Sequence, residues 1–184
     1  MPIPLVIAHR GDSSNALENS LGSIRRALKL SVDMIEIDIR RSRDNGLYAM
    51  HDKLTGRTAG KNIDIERATS DKIAGVKLNN NELIPTLADV LRLVAGTCGL
   101  NLEIKSSGAG ALTAQYLLAA GYKGPVLVSS FQEGEVTAAR RAMPLLPTSM
   151  IFDAFAAQDV PSYREQGYRI ISLKKKTVSE KLVA

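Results

Sequence analysis

His9 and His51 are the only two histidines in the 184-residue sequence. Each closes a short apolar run and meets a turn: His9 ends LVIAH before RGDSSN, and His51 ends LYAMH before Asp52. An imidazole titrates at about pH 6.5, near working pH, so a pair of them can divide proton transfer, one taking a proton and the other giving one. A strand-end histidine taken alone is more often structural. Glu36 and Asp38 stand one residue apart in MIEIDIR, and Glu103 and Lys105 repeat that spacing in LEIK. On a strand, residues two apart share a face, so each pair points one way. A solvated sheet face is the plain alternative for either pair. In an α/β fold, however, parallel strands are covered on both sides, and an inward carboxylate needs a partner. Three converging carboxylates form a hard oxygen site that favours Mg²⁺ or Ca²⁺ over zinc. Arg10 and Lys105 would add donors for an anion, and the guanidinium fork matches two phosphate oxygens.

The elements that must position these residues follow from the apolar periodicity. Residues 5–9 read as a buried strand. Leu21, Ile24, Ala27 and Leu28 fall at helical spacing, with Asn15 or Asn19 as the candidate cap. In residues 34–40, Ile35, Ile37 and Ile39 alternate with Glu36, Asp38 and Arg40. SRDNG turns the chain into a second strand at 47–52, making a hairpin. Residues 53–85 are polar and irregular and read as a long excursion with one helical turn; such excursions are more often functional than idle. Pro85 opens a helix that stops at Gly96. Strands then alternate with helices: LNLEIK, ALTAQYLLAAG, PVLVSSF, EGEVTAARRAM, LPTSMIF, SYREQG and YRIISLK, with TVSEKLVA as the start of a further helix. This order predicts parallel strands joined by crossover helices. No Gly-x-Gly-x-x-Gly follows the first strand, so nothing supports a dinucleotide-binding sheet. Polar residues within apolar strands fit the C-terminal mouth of a TIM-type (β/α) barrel.

Composition narrows the function classes. Hydrophobic residues make up 45% and charged residues 23%, an ordinary globular balance. Lys plus Arg number 24 against 19 Asp plus Glu, leaving +5, which suits an anionic substrate, although solubility alone would account for it. Three Phe, five Tyr and no Trp leave few stacking platforms, so nucleic acid is not expected as a partner. The single cysteine, Cys98, excludes an internal disulfide and a cysteine-based zinc cluster; it reads as a small packing residue. No leader-like or membrane-spanning run is evident, so a cytoplasmic protein without a stable membrane anchor is expected. The whole of 1–184 reads as one domain, with a short insertion at about 53–85.

AHRG at 8–11, ENS at 18–20, EIDIR at 36–40, MHD at 50–52, IPTLADVL at 84–91, LEIK at 102–105 and SSF at 129–131 together resemble the glycerophosphodiester phosphodiesterases, in order and in approximate spacing. The resemblance implies a phosphodiesterase TIM barrel and metal-dependent hydrolysis of a small-molecule glycerophosphodiester to glycerol 3-phosphate and an alcohol. It implies one divalent cation, Mg²⁺ or Ca²⁺, on Glu36, Asp38 and Glu103. It also implies His9 and His51 as the acid/base pair, with Arg10 and Lys105 on the phosphate; by analogy His9 is the base and His51 the acid. Glu18 of ENS reads either as support for the site or as a first-turn helix acid, and Leu17 stands where the family usually has proline. The run Lys174 to Lys176 reads as a solvated charge run or as a phosphate attractor.

The resemblance covers essentially the whole chain, but the family's last two strands, one with a Trp-Thr-x-Asn motif, have no counterpart here. The expectation is an incomplete barrel of six parallel strands plus a hairpin return strand. Its two open edges lead to a second expectation, a homodimer across the gap or a marginally stable monomer. Two other readings stand beside hydrolysis of glycerophosphodiesters. One is a non-catalytic or weakly active phosphate- or metal-binding remnant. The other is a related enzyme acting on lysophospholipids or sphingolipids, against which the absence of a membrane-binding amphipathic stretch counts.

Overall fold

A computed structural model describes residues 4–173 and 178. The Lys174 to Lys176 run and the helix expected over 177–184 fall outside the described residues, Val178 aside. The sheet is built around strand β2 (Met34–Arg41), which pairs in parallel with β1 (Ile7–His9) on one side and β4 (Gly99–Ile104) on the other. Strand β3 (Leu47–Ala49) folds back antiparallel on the end of β2, as the SRDNG turn predicts. Strands β5 (Val126–Ser130), β6 (Thr148–Phe152) and β7 (Ile170–Leu173) extend the parallel order to β1-β2-β4-β5-β6-β7. This is a curled half-barrel of six parallel strands. Among the described residues, β1 pairs only with β2 and β7 only with β6, and Leu5, Val6 and Ile7 beside the first edge are 65%, 59% and 45% exposed.

Helices α1 (Leu21–Lys29), α3 (Leu87–Val94), α4 (Ala109–Ala119), α5 (Glu133–Ala142) and α6 (Val160–Glu165) fill the crossovers, and α2 (Ser70–Ala74) lies in the insertion. The main core forms on the outward face of the sheet. Ile35, Ile37 and Ile39 are fully buried there with Leu100, Leu102, Ile104 and Val128, against Ile24, Ala27, Val90 and Val94 of α1 and α3. Full burial of such side chains contributes roughly 1.5–3 kcal/mol each. The opposite face of β2 is buried as well, and it carries Glu36 and Asp38. Register sets Asp38 beside Glu103 and His9 beside Glu36.

Local chemistry at the helix starts differs from expectation at α1. Ser20, not Asn15 or Asn19, is the cap, accepting from the Ser23 N–H at 3.0 Å. Asn19 instead adopts φ +56° and spends its amide on Asp38. At α3, Thr86 and Asp89 form a reciprocal capping box just after Pro85.

The insertion is more ordered than its irregular sequence suggests. It holds a 3₁₀ turn (Thr55–Arg57) and α2, and it buries its own apolar cluster. Ile65, Ile73, Val76 and Leu78 pack there on Tyr48 and Met50 from the hairpin. These apolar residues come from separate short segments, so no period marks them in the sequence. Asp44 of the hairpin turn ties the two parts together. Its carboxylate accepts from the Ser42 hydroxyl at 2.6 Å and from the Ser70 N–H and hydroxyl, each at 3.0 Å.

Those donors, the Ser42 hydroxyl first, hold the Asp44 carboxyl down at about 2, from an ordinary 3.8. A depressed carboxylate adds stability above its unfolded pKa and loses it as the pH falls through the folded value. Asp44→Asn should therefore be less stable than the parent at pH 6, and the gap should close between about pH 4 and 2. Urea melts of both proteins across that range check this; a gap that does not change with pH counts against the clasp.

Candidate active site

The site grows from the turn after β1. Arg10 and Gly11 both sit at positive φ, +58° and +77°. The Arg10 carbonyl is held by the Ser23 hydroxyl at 2.9 Å and the Asn19 N–H at 3.1 Å. A side chain at position 11 would put its Cβ 2.4 Å from Ser23 Oγ and 2.7 Å from the Ser23 carbonyl carbon, so the turn closes only with glycine. Closing it aims the Arg10 N–H at Glu36 Oε2, 2.9 Å away.

Glu36, Asp38 and Glu103 each offer an oxygen within 4.8 Å of the others, and all three are buried. Asp38 is fully buried; Asn19 Nδ2 donates to its Oδ2 at 2.8 Å, and the Arg10 Nε lies 3.1 Å from the same oxygen. Lys105 Nζ lies 3.2 Å from Asp38 Oδ1 and hydrogen-bonds closely to Glu103 Oε1. Two oxygens of the group, Glu36 Oε1 and Asp38 Oδ1, are buried and accept no hydrogen bond. Burial, and then the neighbouring Asp38 charge, push the Glu36 carboxyl up to about 8. A buried group of three carboxylates, two of whose oxygens accept no hydrogen bond, fits a hard divalent cation, which would compete with the Glu36 proton.

Of the remaining expected residues, Arg10 and Lys105 touch this group and His9 lies beside it. His9 Nε2 lies 3.7 Å from Glu36 Oε2. Partial desolvation, and then the Arg10 charge, lower the His9 pKa. Its side chain is 65% exposed, so solvent screens much of that effect. Arg10 Nη1 donates to Glu18 Oε1 at 3.1 Å, and Glu18 lies before the Ser20 cap, outside the first turn of α1. His51 lies on the insertion side with its Nδ1 2.7 Å from Asp52 Oδ1, and Arg40 Nε donates to the His51 carbonyl at 2.8 Å. Lys105 also lies over the Phe131 ring, 5.8 Å from its centre. His9 ends β1 and Arg10 follows it, Glu36 and Asp38 lie within β2, Glu103 lies near the end of β4 with Lys105 just after it, and His51 lies just beyond β3.

Sequence reasoning missed Asn19 as a partner of Asp38 and missed Arg57 altogether. Asn19 was legible as part of ENS, next to the expected helix start. Arg57 sits in the polar insertion with no periodic signal, yet it bonds both Glu18 and Asp52. Two cavities elsewhere, of about 610 Å³ beside Cys98 and Tyr122 and about 540 Å³ beside Phe155 and Tyr163, contain none of these groups.

The sequence of the glycerophosphoryl diester phosphodiesterase family matches residues 9–183. Glycerophosphodiester phosphodiesterase of Caldanaerobacter subterraneus subsp. tengcongensis is 31% identical over 161 residues, covering 80% of this chain and 66% of that protein. The Bacillus subtilis enzyme of the same name is 26% identical over 175 residues, covering 82% of this chain and 60% of the relative. The chain thus spans 60% to 66% of the length of these relatives. Among solved structures, an Oleispira antarctica phosphodiesterase in complex with its product sn-glycerol-3-phosphate superposes with a TM-score of 0.79 at 24% identity, over 94% of this chain and 85% of that one. A glycerophosphodiester phosphodiesterase from Parabacteroides distasonis superposes with a TM-score of 0.80 at 24% identity, over 94% and 74%. These structural likenesses establish a shared fold. With the family match running through every strand described above except the first two residues of β1, the chain belongs to the glycerophosphoryl diester phosphodiesterase family.

Proposed function

We propose that this chain hydrolyses glycerophosphodiesters to glycerol 3-phosphate and an alcohol, using a divalent cation on Glu36, Asp38 and Glu103 and an acid/base pair of His9 and His51. The observation that carries the reading is the buried carboxylate group with His9, Arg10 and Lys105 against it, and with His51 just beyond the hairpin strand β3. The same assembly favours an enzyme over a binding remnant, since binding alone asks for no paired proton carriers. The 31% identical relative bears the name of the activity, which supports the substrate class. No helix among the described residues is long and apolar enough to cross a membrane, and a cytoplasmic location stays part of the proposal. So does the organisation of 1–184 as one domain.

The chemistry then divides among the residues. The cation, Mg²⁺ or Ca²⁺, supplies neutralisation of charge on a phosphate oxygen. Arg10 and Lys105 are the donors for the remaining phosphate oxygens, each already oriented by carboxylates of the site. His9, whose lowered pKa favours a neutral ring with a free lone pair, takes the proton from the attacking hydroxyl or water. His51 protonates the departing alkoxide, which is otherwise a poor leaving group. Release of glycerol 3-phosphate from glycerophosphocholine with Mg²⁺ or Ca²⁺ tests the reading; no release with either cation overturns it.

Glu103→Gln should weaken cation binding and abolish turnover together, because one charge and one strong ligand are lost. Titration calorimetry beside a rate assay reads both, and full activity in excess chelator would refute a metal mechanism.

His9→Ala and His51→Ala should each keep the fold and lose roughly 10²–10⁴ in rate, the size of one acid or base contribution. A substrate with a very acidic leaving group should restore the His51 variant and not the His9 variant. Restoration of the His9 variant instead would reverse the two assignments.

We also propose that two copies associate across the exposed β1 edge, which has no second strand partner among the described residues, beside Leu5 and Val6. Light scattering should then give twice the 19.8 kDa chain mass. A monomer whose β1 amides exchange slowly would contradict this.

A further inference from the structure

Arg57 connects two parts of the site that the sequence keeps apart. Its Nε donates to Asp52 Oδ2 at 2.5 Å, while Nη1 and Nη2 grip the two oxygens of Glu18 at 3.0 and 2.6 Å. Glu18 Oε1 is the oxygen that also receives Arg10 Nη1. Asp52 uses its other oxygen, Oδ1, for His51 Nδ1 at 2.7 Å. One guanidinium from the insertion therefore spans from the Arg10 arm of the β1 turn to the ring of His51.

We infer that Arg57 is a positioning residue, which fixes Asp52 so that His51 carries its hydrogen on Nδ1 and turns Nε2 to the substrate. The inference rests on His51 acting as an acid/base group in the reaction proposed above. An ionised carboxylate only accepts, so a ring nitrogen bonded to it must be the N–H nitrogen. Which nitrogen of an imidazole is protonated follows from the hydrogen bond the other makes. Asp52 alone could rotate either oxygen towards the ring or away from it. With Oδ2 pinned by Arg57, only Oδ1 is left for Nδ1.

Stability does not account for this arrangement. The Arg57 side chain is 51% exposed, and ion pairs of that exposure contribute little to stability. What Arg57 provides is geometry. Its planar fork engages two carboxylates at once, which a lysine ammonium, a point charge on a flexible stem, cannot reproduce. The Arg57 grip on Glu18 is additional to the direct bonds Arg10 makes to Glu18 and approaches to Asp38, so Arg10 stays placed without it. Loss of Arg57 should accordingly be felt at His51 first.

Long-range ¹H–¹⁵N correlation spectra of the full chain, with and without Mg²⁺, read the His51 tautomer directly once the ring is neutral. With two histidines in the sequence, a His9→Gln background leaves one ring to assign. The parent should show Nδ1–H. Arg57→Gln should move the ring towards Nε2–H, lower kcat about 10- to 100-fold, the usual cost of losing an outer hydrogen-bond partner, and change KM less. Arg57→Lys should recover only part of the loss. Asp52→Ala removes the acceptor while leaving Arg57 on Glu18, and should give the same tautomer change if Arg57→Gln disturbs the insertion. An Nδ1–H ring that persists in either folded variant overturns the inference, whatever the rates. A tautomer change alongside a fully active His51→Ala variant overturns instead the assignment of His51 to the reaction, and with it the catalytic meaning of Arg57.

Discussion

Repulsion among three buried carboxylates is the constraint around which the rest of the structure is arranged. Asp38 and Glu103 are register partners on adjacent parallel strands, and Glu36 lies one pleat away on the same face. Taking such groups out of water without partners is costly, and like charges at this separation resist common ionisation. The protein answers with Arg10, Lys105 and the Asn19 amide, and it still leaves Glu36 Oε1 and Asp38 Oδ1 without a hydrogen bond. The backbone strain at Arg10 and Asn19 belongs to the same arrangement. Both residues accept positive φ, at +58° and +56°, in positions that aim a main-chain N–H at Glu36 Oε2 and a side-chain amide at Asp38 Oδ2.

The scaffold that tolerates this is rigid on its other face. The isoleucines that alternate with the acids on β2 are completely buried under α1 and α3, so the strand cannot rotate or slip to relieve the charge. A slip of one residue would turn the isoleucines into the polar site and bury the acids in an apolar core, which fixes the register strongly. The apolar half of the alternation thereby sets the geometry of the polar half.

The insertion after β3 contributes a second layer of control. Two of its polar contacts with the rest of the fold lie near the site: Arg57 on Glu18 and Asp52, and Glu66 on Arg40 and Ser106. Arg40 in turn holds the His51 carbonyl at 2.8 Å. His51 is thus held through its backbone and its ring by groups whose other partners lie across the mouth. Because the insertion packs its own apolar cluster against Tyr48 and Met50, these polar contacts start from a firm base.

Much of this was legible in residue order. Strict alternation in 34–40, the Asn-Gly turn, the helical spacing from Leu21 and the strand-helix succession after Pro85 determined the parallel sheet, the hairpin and the faces that carry Glu36, Asp38 and Glu103. Periods of two and of about 3.6 are local properties, so a sequence displays them. The seven expected site residues were legible for the same reason, since each sits at the end of a periodic run or within one. The tertiary structure alone decided that Asn19 serves Asp38 while Ser20 takes the helix cap, because the choice depends on a carboxylate nineteen residues away. It alone decided that Arg57 bonds Glu18, thirty-nine residues earlier, and that scattered apolar residues of 53–85 form one cluster. Contacts of that kind depend on where the chain returns in space, and no local period records them.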